Sequence, residues 1–101
     1  MSNIKHYSLS LQADEDLQDI YDYTEEYFGT KQAVKYVSEF EAVFQRLIQN
    51  PKIGRDRIEI REGLRSYNKG RHVIFYRIQK DHIRIVRLLH DRKDLKNFDA
   101  E

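Results

Sequence analysis

Hydrophobic positions in this chain recur with two different periods. From Ala13 to Phe28 they step by three and four, through Leu17, Ile20, Tyr21, Thr24 and Tyr27. That spacing puts them on one side of a helix. Ser10 offers an N-cap ahead of it, and Asp14, Glu15 and Asp16 place negative charge in its early turns. Gly29 is expected in the left-handed position that ends a helix, with Thr30 capping the next one at once. The second helix carries a continuous stripe of Ala33, Tyr36, Val37, Phe40, Val43, Phe44, Leu47 and Ile48. It stops at Asn50-Pro51, because the residue before a proline is pushed out of helical geometry. So short a link makes the two helices an antiparallel hairpin. Their aromatic residues lie at core spacing and read as core rather than as a ligand pocket.

Elsewhere the period is two. Ile4 to Leu9 alternates, with Tyr7 and Leu9 on one side, and reads as a first strand. Leu64 to Tyr67 gives a short strand before a turn at Asn68-Lys69-Gly70. His72–Ile78 and Ile83–Leu89 then flank the polar run Gln79-Lys80-Asp81-His82 as a hairpin. With the turn at Lys80-Asp81, Ile78 opposes Ile83, Tyr76 opposes Ile85, Phe75 opposes Val86 and Val73 opposes Leu88. One face then holds Ile74, Tyr76, Ile78, Ile83, Ile85 and Leu89, with His72 and Arg87 among them. It is expected under the helices, with Arg87 paired to Asp16 or Asp19, since an unpaired charge there would be costly. The other face holds Val73, Phe75, Val86 and Leu88, framed by Arg71, Arg77, Arg84 and His90. Left open, it would expose on the order of a few hundred Å² of apolar surface, near the size that marks a partner site. The alternative cover is the C-terminal tail, folding back through Leu95 and Phe98. Arg71, Val73, Phe75, Arg77, Arg84, Val86 and Leu88 are therefore the candidate docking residues, suited to an amphipathic, acidic partner. The element order predicts an α+β domain spanning residues 1–101: a strand, a helical hairpin and a three-stranded antiparallel meander.

Composition narrows the function. Cysteine is absent, which removes disulfides, thiol nucleophiles and thiolate metal sites and fits a reducing, cytoplasmic setting. No apolar run approaches the roughly 20 residues that span a bilayer, and residues 1–6 hold no apolar signal region. The net charge of +1 hides an asymmetry. Residues 1–50 hold 4 Lys/Arg against 9 Asp/Glu, a net of −5, and residues 51–101 hold 14 against 8, a net of +6. A cationic sheet half suits nucleic acid or an acidic protein, or is ordinary solvated charge.

Among the histidines His6, His72, His82 and His90, none is spaced i, i+4 from another on a helix, and no HExxH run exists. Neither a metal site nor a cofactor is expected. Asp81-His82 reads as a turn with a surface histidine. His90 stands beside Asp91, Arg92 and Lys93 and across from Arg71, so acid–base cleavage of RNA is a second reading, with Glu59 or Glu62 as base. No nucleophile elbow, phosphate loop or dinucleotide fingerprint is present.

Tyr7-Ser8-Leu9-Ser10 leading to Ala13 and Asp16-Leu17-Gln18-Asp19-Ile20, then Phe28-Gly29, Gln32-Ala33 and Asn50-Pro51-Lys52-Ile53-Gly54-Arg55, occur in one order with Glu59-Ile60-Arg61-Glu62-Gly63-Leu64-Arg65-Ser66, His72-Val73-Ile74-Phe75-Tyr76-Arg77 and Ile83 to Asp94. In that order and spacing the chain resembles the ParE branch of the RelE/ParE toxins of bacterial type II toxin–antitoxin modules. The resemblance implies a compact sheet with an N-terminal helical hairpin, action on DNA gyrase, and neutralisation by a ParD-like antitoxin whose C-terminal segment wraps the toxin. The antitoxin's own N-terminal domain would bind operator DNA, so no sequence-specific DNA binding is expected of this chain. The candidate gyrase contacts are His90, Arg92, Lys93 and Phe98. The RelE branch instead cleaves mRNA on the ribosome with a lysine- and arginine-rich set. Leu64, Ser66 and Val73 fall where that branch has strand lysines and an arginine, and Phe98 lacks the hydroxyl of its late tyrosine. Glu59, Arg65 and His90 resemble a Glu, Arg and His variant of that branch and form the alternative, endoribonuclease set.

Overall fold

The structure, a computed structural model, describes residues 3–91. The elements are β1 (His6–Leu9), α1 (Leu11–Phe28), α2 (Thr30–Gln49), a single 3-10 turn (Pro51–Ile53), β2 (Arg55–Asp56), β3 (Leu64–Lys69), β4 (His72–Ile78) and β5 (His82–His90). Both predicted helices are there, and β3, β4 and β5 form the predicted antiparallel meander. The sheet is larger than the prediction. Its order is β1-β5-β4-β3-β2, with the two-residue β2 against β3 and β1 parallel to β5.

Ser10 turns the chain off the sheet. Its N–H donates to Ile85 O (2.9 Å), its hydroxyl donates to Val86 O (2.7 Å), and its Oγ accepts from Ala13 N (2.9 Å). One side chain thus ends β1, caps α1 as predicted, and satisfies β5 where its parallel neighbour stops. Asp16, in the second turn of α1, takes over that vacated edge. Its Oδ2 accepts from Leu88 N (3.0 Å), and its two oxygens hold Arg87 Nε (2.8 Å) and Nη2 (3.0 Å) in a two-pronged pair. The expected partner of Arg87 is therefore Asp16.

The joint between the helices is Gly29, at φ +92°, whose N–H donates to Glu25 O (2.9 Å). Thr30 does not cap α2. It is already helical, and its hydroxyl donates to Glu25 Oε2 (2.9 Å). The expected stripe of α2 is in place, with Ala33, Phe40, Phe44 and Leu47 buried against Ile74, Tyr76, Ile83 and Ile85. In α1 the stripe fades early. Ala13, Ile20 and Thr24 are buried, whereas Tyr27 and Phe28 are exposed.

The hairpin keeps the predicted register only near its turn, where Ile78 pairs with Ile83 and Tyr76 with Ile85. A bulge then intervenes. Phe75 pairs with Arg87, Ile74 with Leu88 and Val73 with Leu89, so Val86 is the extra residue. An extra residue inverts the alternation beyond it. Leu88 accordingly joins the helix-side core and Leu89 the opposite cluster, the reverse of the prediction.

The Pro51–Arg55 segment is latched onto this sheet. The buried Tyr76 hydroxyl donates to Pro51 O (2.7 Å) and accepts from Gly54 N (3.0 Å), while Arg65 Nη2 donates to Gly54 O (2.6 Å) and Lys52 O (3.1 Å). A Cβ on Gly54 would fall 2.4 Å from the Tyr76 hydroxyl and 2.7 Å from Ser66 O. Only glycine lets the backbone come this close.

Candidate functional site

The far face of the sheet is closed, which corrects the expectation of an open apolar strip. Val73, Phe75 and Val86 lie between 0% and 4% exposed and cluster with Leu64 and Leu89, and Leu88 is buried on the helix side. The described part of the cover includes Arg57, on the irregular stretch between β2 and β3. Arg57 sets its guanidinium 5.7 Å above the Phe75 ring and donates to Ser66 Oγ (3.1 Å). Two of the arginines expected to frame an open patch are tied down within the chain itself. Arg77 donates to Glu62 O (2.9 Å), and Arg84 donates to Ser8 Oγ and Leu9 O (both 3.2 Å). Arg71 differs: its side chain is 57% exposed, with Nε 3.6 Å from Asp91 Oδ1. Leu95 and Phe98, the proposed self-cover, lie outside the described residues.

An open groove of about 520 Å³ lies on the helix side, between the end of α1 and the far end of β4 and β5. Tyr23, Thr24, Phe28, Gln32, Tyr36, Arg71, His72 and His90 line it. It runs into a second hollow that adds Asp16, Asp19, Ile20, Arg87 and Leu88. The groove exists because α1 outruns its packed face. At 100° per residue, Tyr21, Tyr23, Tyr27 and Phe28 spread over an arc of about 160°, wider than one buried stripe. Tyr23 and Phe28 consequently stand 56% and 68% exposed, and Tyr23 packs on Tyr27 with ring centroids 4.6 Å apart.

The floor is polar and fixed. His72 and His90 are cross-strand partners whose rings meet edge to face at 5.5 Å. The Tyr36 hydroxyl lies 2.8 Å from His72 Nδ1. Lys69 Nζ stands 4.1 Å over the Tyr36 ring and donates to Glu39 Oε1 (2.9 Å). Burial, helped by Glu39, pushes the Tyr36 phenol above its ordinary range. Rigid aromatic walls with a cation at the mouth suit an amphipathic segment carrying a carboxylate. Ile53, Ile58 and Ile60 are also exposed, on the stretch from Pro51 to Gly63 that carries Arg55, Arg57 and Arg61.

The nuclease set does not converge. Arg65 opposes Tyr76 and His90 opposes His72, on the two strands flanking β4. Those β4 positions are four residues apart, roughly 13 Å along a strand. The guanidinium of Arg65 is also committed to Lys52 O and Gly54 O. Glu59 pairs with Arg57 Nε at 2.7 Å, and that hydrogen bond holds its carboxyl below the usual range, the wrong direction for a general base near neutral pH. Of the gyrase candidates, His90 lines the groove, and Arg92, Lys93 and Phe98 lie outside the described residues.

Residues 7–95 match the family described as "ParE toxin of type II toxin-antitoxin system, parDE". The chain belongs to the ParE toxin family. It is 40% identical over 90 residues to Toxin ParE1 of Mycobacterium tuberculosis (strain ATCC 25618 / H37Rv), covering 88% of this chain and 92% of that one. It is 37% identical over 87 residues to Toxin ParE1 of Caulobacter vibrioides, covering 86% and 90%. A chain of the solved structure titled "Chromosomal ParDE TA system from P. aeruginosa" superimposes with a TM-score of 0.73 at 23% identity, over 88% of this chain and 98% of that one, which shows a shared fold. The Asn50–Arg55 motif that contributed to the resemblance proves in this ParE chain to be the latch on Tyr76 and Arg65. The groove residues Tyr23, Phe28 and Gln32 were missed from sequence. For Tyr23 and Phe28 the available signal was the breadth of the aromatic arc on α1; Gln32, on α2, carried none.

Proposed function

We propose that this ParE toxin binds DNA gyrase and blocks its supercoiling cycle without covalent chemistry of its own, and that a ParD-like antitoxin silences it by laying an amphipathic segment in the groove beside α1. Membership of the ParE family across residues 7–95 carries the reading. Gyrase is the target that the family resemblance implies, and the bacterial cytoplasm is where the two would meet. The separation of Arg65 from His90 and the pairing of Glu59 with Arg57 weigh against the endoribonuclease alternative.

The groove replaces the sheet's far face as the antitoxin seat. Of the candidate docking residues, Arg71 keeps that role, because it is exposed at the groove's mouth. Apolar side chains of the antitoxin would fill the space between Tyr23, Phe28 and Tyr36, and a carboxylate would meet Arg71. His90 lines the same groove, so a seated antitoxin would cover a candidate gyrase contact and neutralise by occlusion. In the decisive experiment, stoichiometric toxin inhibits supercoiling by purified gyrase, added antitoxin restores it, and translated mRNA stays uncut. Intact supercoiling together with mRNA cuts that His90→Ala abolishes would replace this reading with the nuclease.

A further inference from the structure

At the other end of β5, eight residues and roughly 26 Å from the groove, three potential ligands gather. Parallel pairing of β1 with β5 sets His6 beside His82. Their rings stack with centroids 4.9 Å apart and planes 13° from parallel. Asp81 Oδ1 lies 2.8 Å from His82 Nδ1. One ligand atom from each of the three lies within 4.8 Å of the other two. We propose that His6, Asp81 and His82 form a binding site for a divalent transition metal of the zinc class, clipping β1 to the start of β5.

Three atoms mutually within 4.8 Å always share a point no more than about 2.8 Å from each. An imidazole lone pair lies in its ring plane, so the His6 ring must also turn out of its stack on His82 for both rings to face one ion at zinc–ligand distance. His6 and Asp81 are exposed and have the rotamer freedom to make that adjustment. The backbone beneath them is held. Lys5 N donates to Asp81 O (2.9 Å) across the two strands, and Gln79 N donates to His82 O (2.9 Å) to close the hairpin. Two imidazoles and a carboxylate select zinc, nickel or copper over calcium or magnesium, which take oxygen ligands. Three protein ligands leave a fourth position for water or a partner's side chain. Asp81 serves either as direct ligand or as the carboxylate that orients His82 and directs its Nε2 to the ion. Sequence spacing conceals this site, because His6 lies on β1, far in the chain from the adjacent Asp81 and His82, rather than on one helix with them.

The test is calorimetric titration of tag-free full chain with ZnCl₂ and with NiCl₂ in a non-coordinating buffer. One ion per chain with micromolar affinity is expected. His6→Ala and His82→Ala should each weaken binding by about tenfold or more, and Asp81→Asn by about 10- to 100-fold. His90→Ala should leave it unchanged. In a second, variant-free measurement, Ni²⁺ should broaden the amide resonances of residues 5–7 and 80–83 of the wild-type chain first. No binding with ZnCl₂ at about 1 mM, undiminished binding in the His6→Ala/His82→Ala double variant, or broadening centred elsewhere would each overturn the proposal.

Discussion

Removing the Asp16 carboxylate tests how the vacated edge of β5 is held. Asp16 and Arg87 side chains are only 14% and 16% exposed, and the carboxylate makes three hydrogen bonds, two to Arg87 and one to Leu88 N. Breaking a fully buried pair by deleting one partner costs about 3–5 kcal/mol. With the residual exposure discounted, Asp16→Ala should cost about 2–4 kcal/mol. Asp16→Asn keeps an acceptor for Leu88 N and should cost about 1–2 kcal/mol. The chain has no tryptophan, so urea unfolding is best followed by far-UV circular dichroism. At a urea slope of about 1–3 kcal/mol per M, the midpoint of Asp16→Ala should fall by about 1 M or more. Arg87→Met strands the carboxylate and should be similarly harmful, whereas the Asp16→Ala/Arg87→Met double variant removes both charges and should be less destabilised than the sum of the singles. An Asp16→Ala midpoint within about 0.3 M of wild type, or strict additivity in the double variant, would refute the reasoning.

Gly54→Ala should destabilise by about 3–5 kcal/mol, because the new methyl meets both the Tyr76 hydroxyl and Ser66 O. A Tm within about 2 °C of wild type would show that the latch can yield. Phe75→Glu should abolish folding, as it buries a carboxylate in a closed cluster. Phe28→Glu should leave the Tm nearly unchanged while weakening capture of a ParD-like antitoxin at least about tenfold, as a hot-spot loss would; native-gel binding and thermal melts separate the two effects. Burial and the hydrogen bond to Glu41 push the Tyr7 phenol up to about 12. Its folded value lies above the unfolded one, so its contribution is full below about pH 10 and is lost as pH rises towards 12. Tyr7→Phe should flatten that alkaline limb of stability, read from unfolding midpoints against pH.

Both helices and the meander could be read from sequence, because one-sided burial writes a period of 3.6 or 2 into the chain. Ser10 and the Asn50-Pro51 stop were legible because each has a common local use at a helix end, whereas the partner of Arg87 was narrowed only to Asp16 or Asp19. The bulge was not. Ile85-Val86 and Leu88-Leu89 are adjacent apolar pairs in a strand buried on both faces, so the alternation is equally satisfied before and after a one-residue shift. The closed far face was missed because part of its cover is the irregular run Arg55–Gly63, whose arginines look solvated in sequence. Here Arg57 lies over Phe75 and donates to Ser66. The groove was missed because Tyr23 and Phe28 have core chemistry without core positions.

The parallel seam between β1 and β5 dictates when the sheet can close. Residues 76 apart in the chain must meet there, as His6 does with His82. A growing polypeptide can form its helical hairpin soon after residue 49 is released, but β1 must wait until residues 82–85 have left the ribosome. The meander cannot finish before residue 90 follows. The sheet therefore closes only once β5 has been made, as it does wherever distant segments must pair. Until then the aromatic side chains of α1 and α2 remain without the sheet they cover, and a chain that has not reached β5 cannot present the groove.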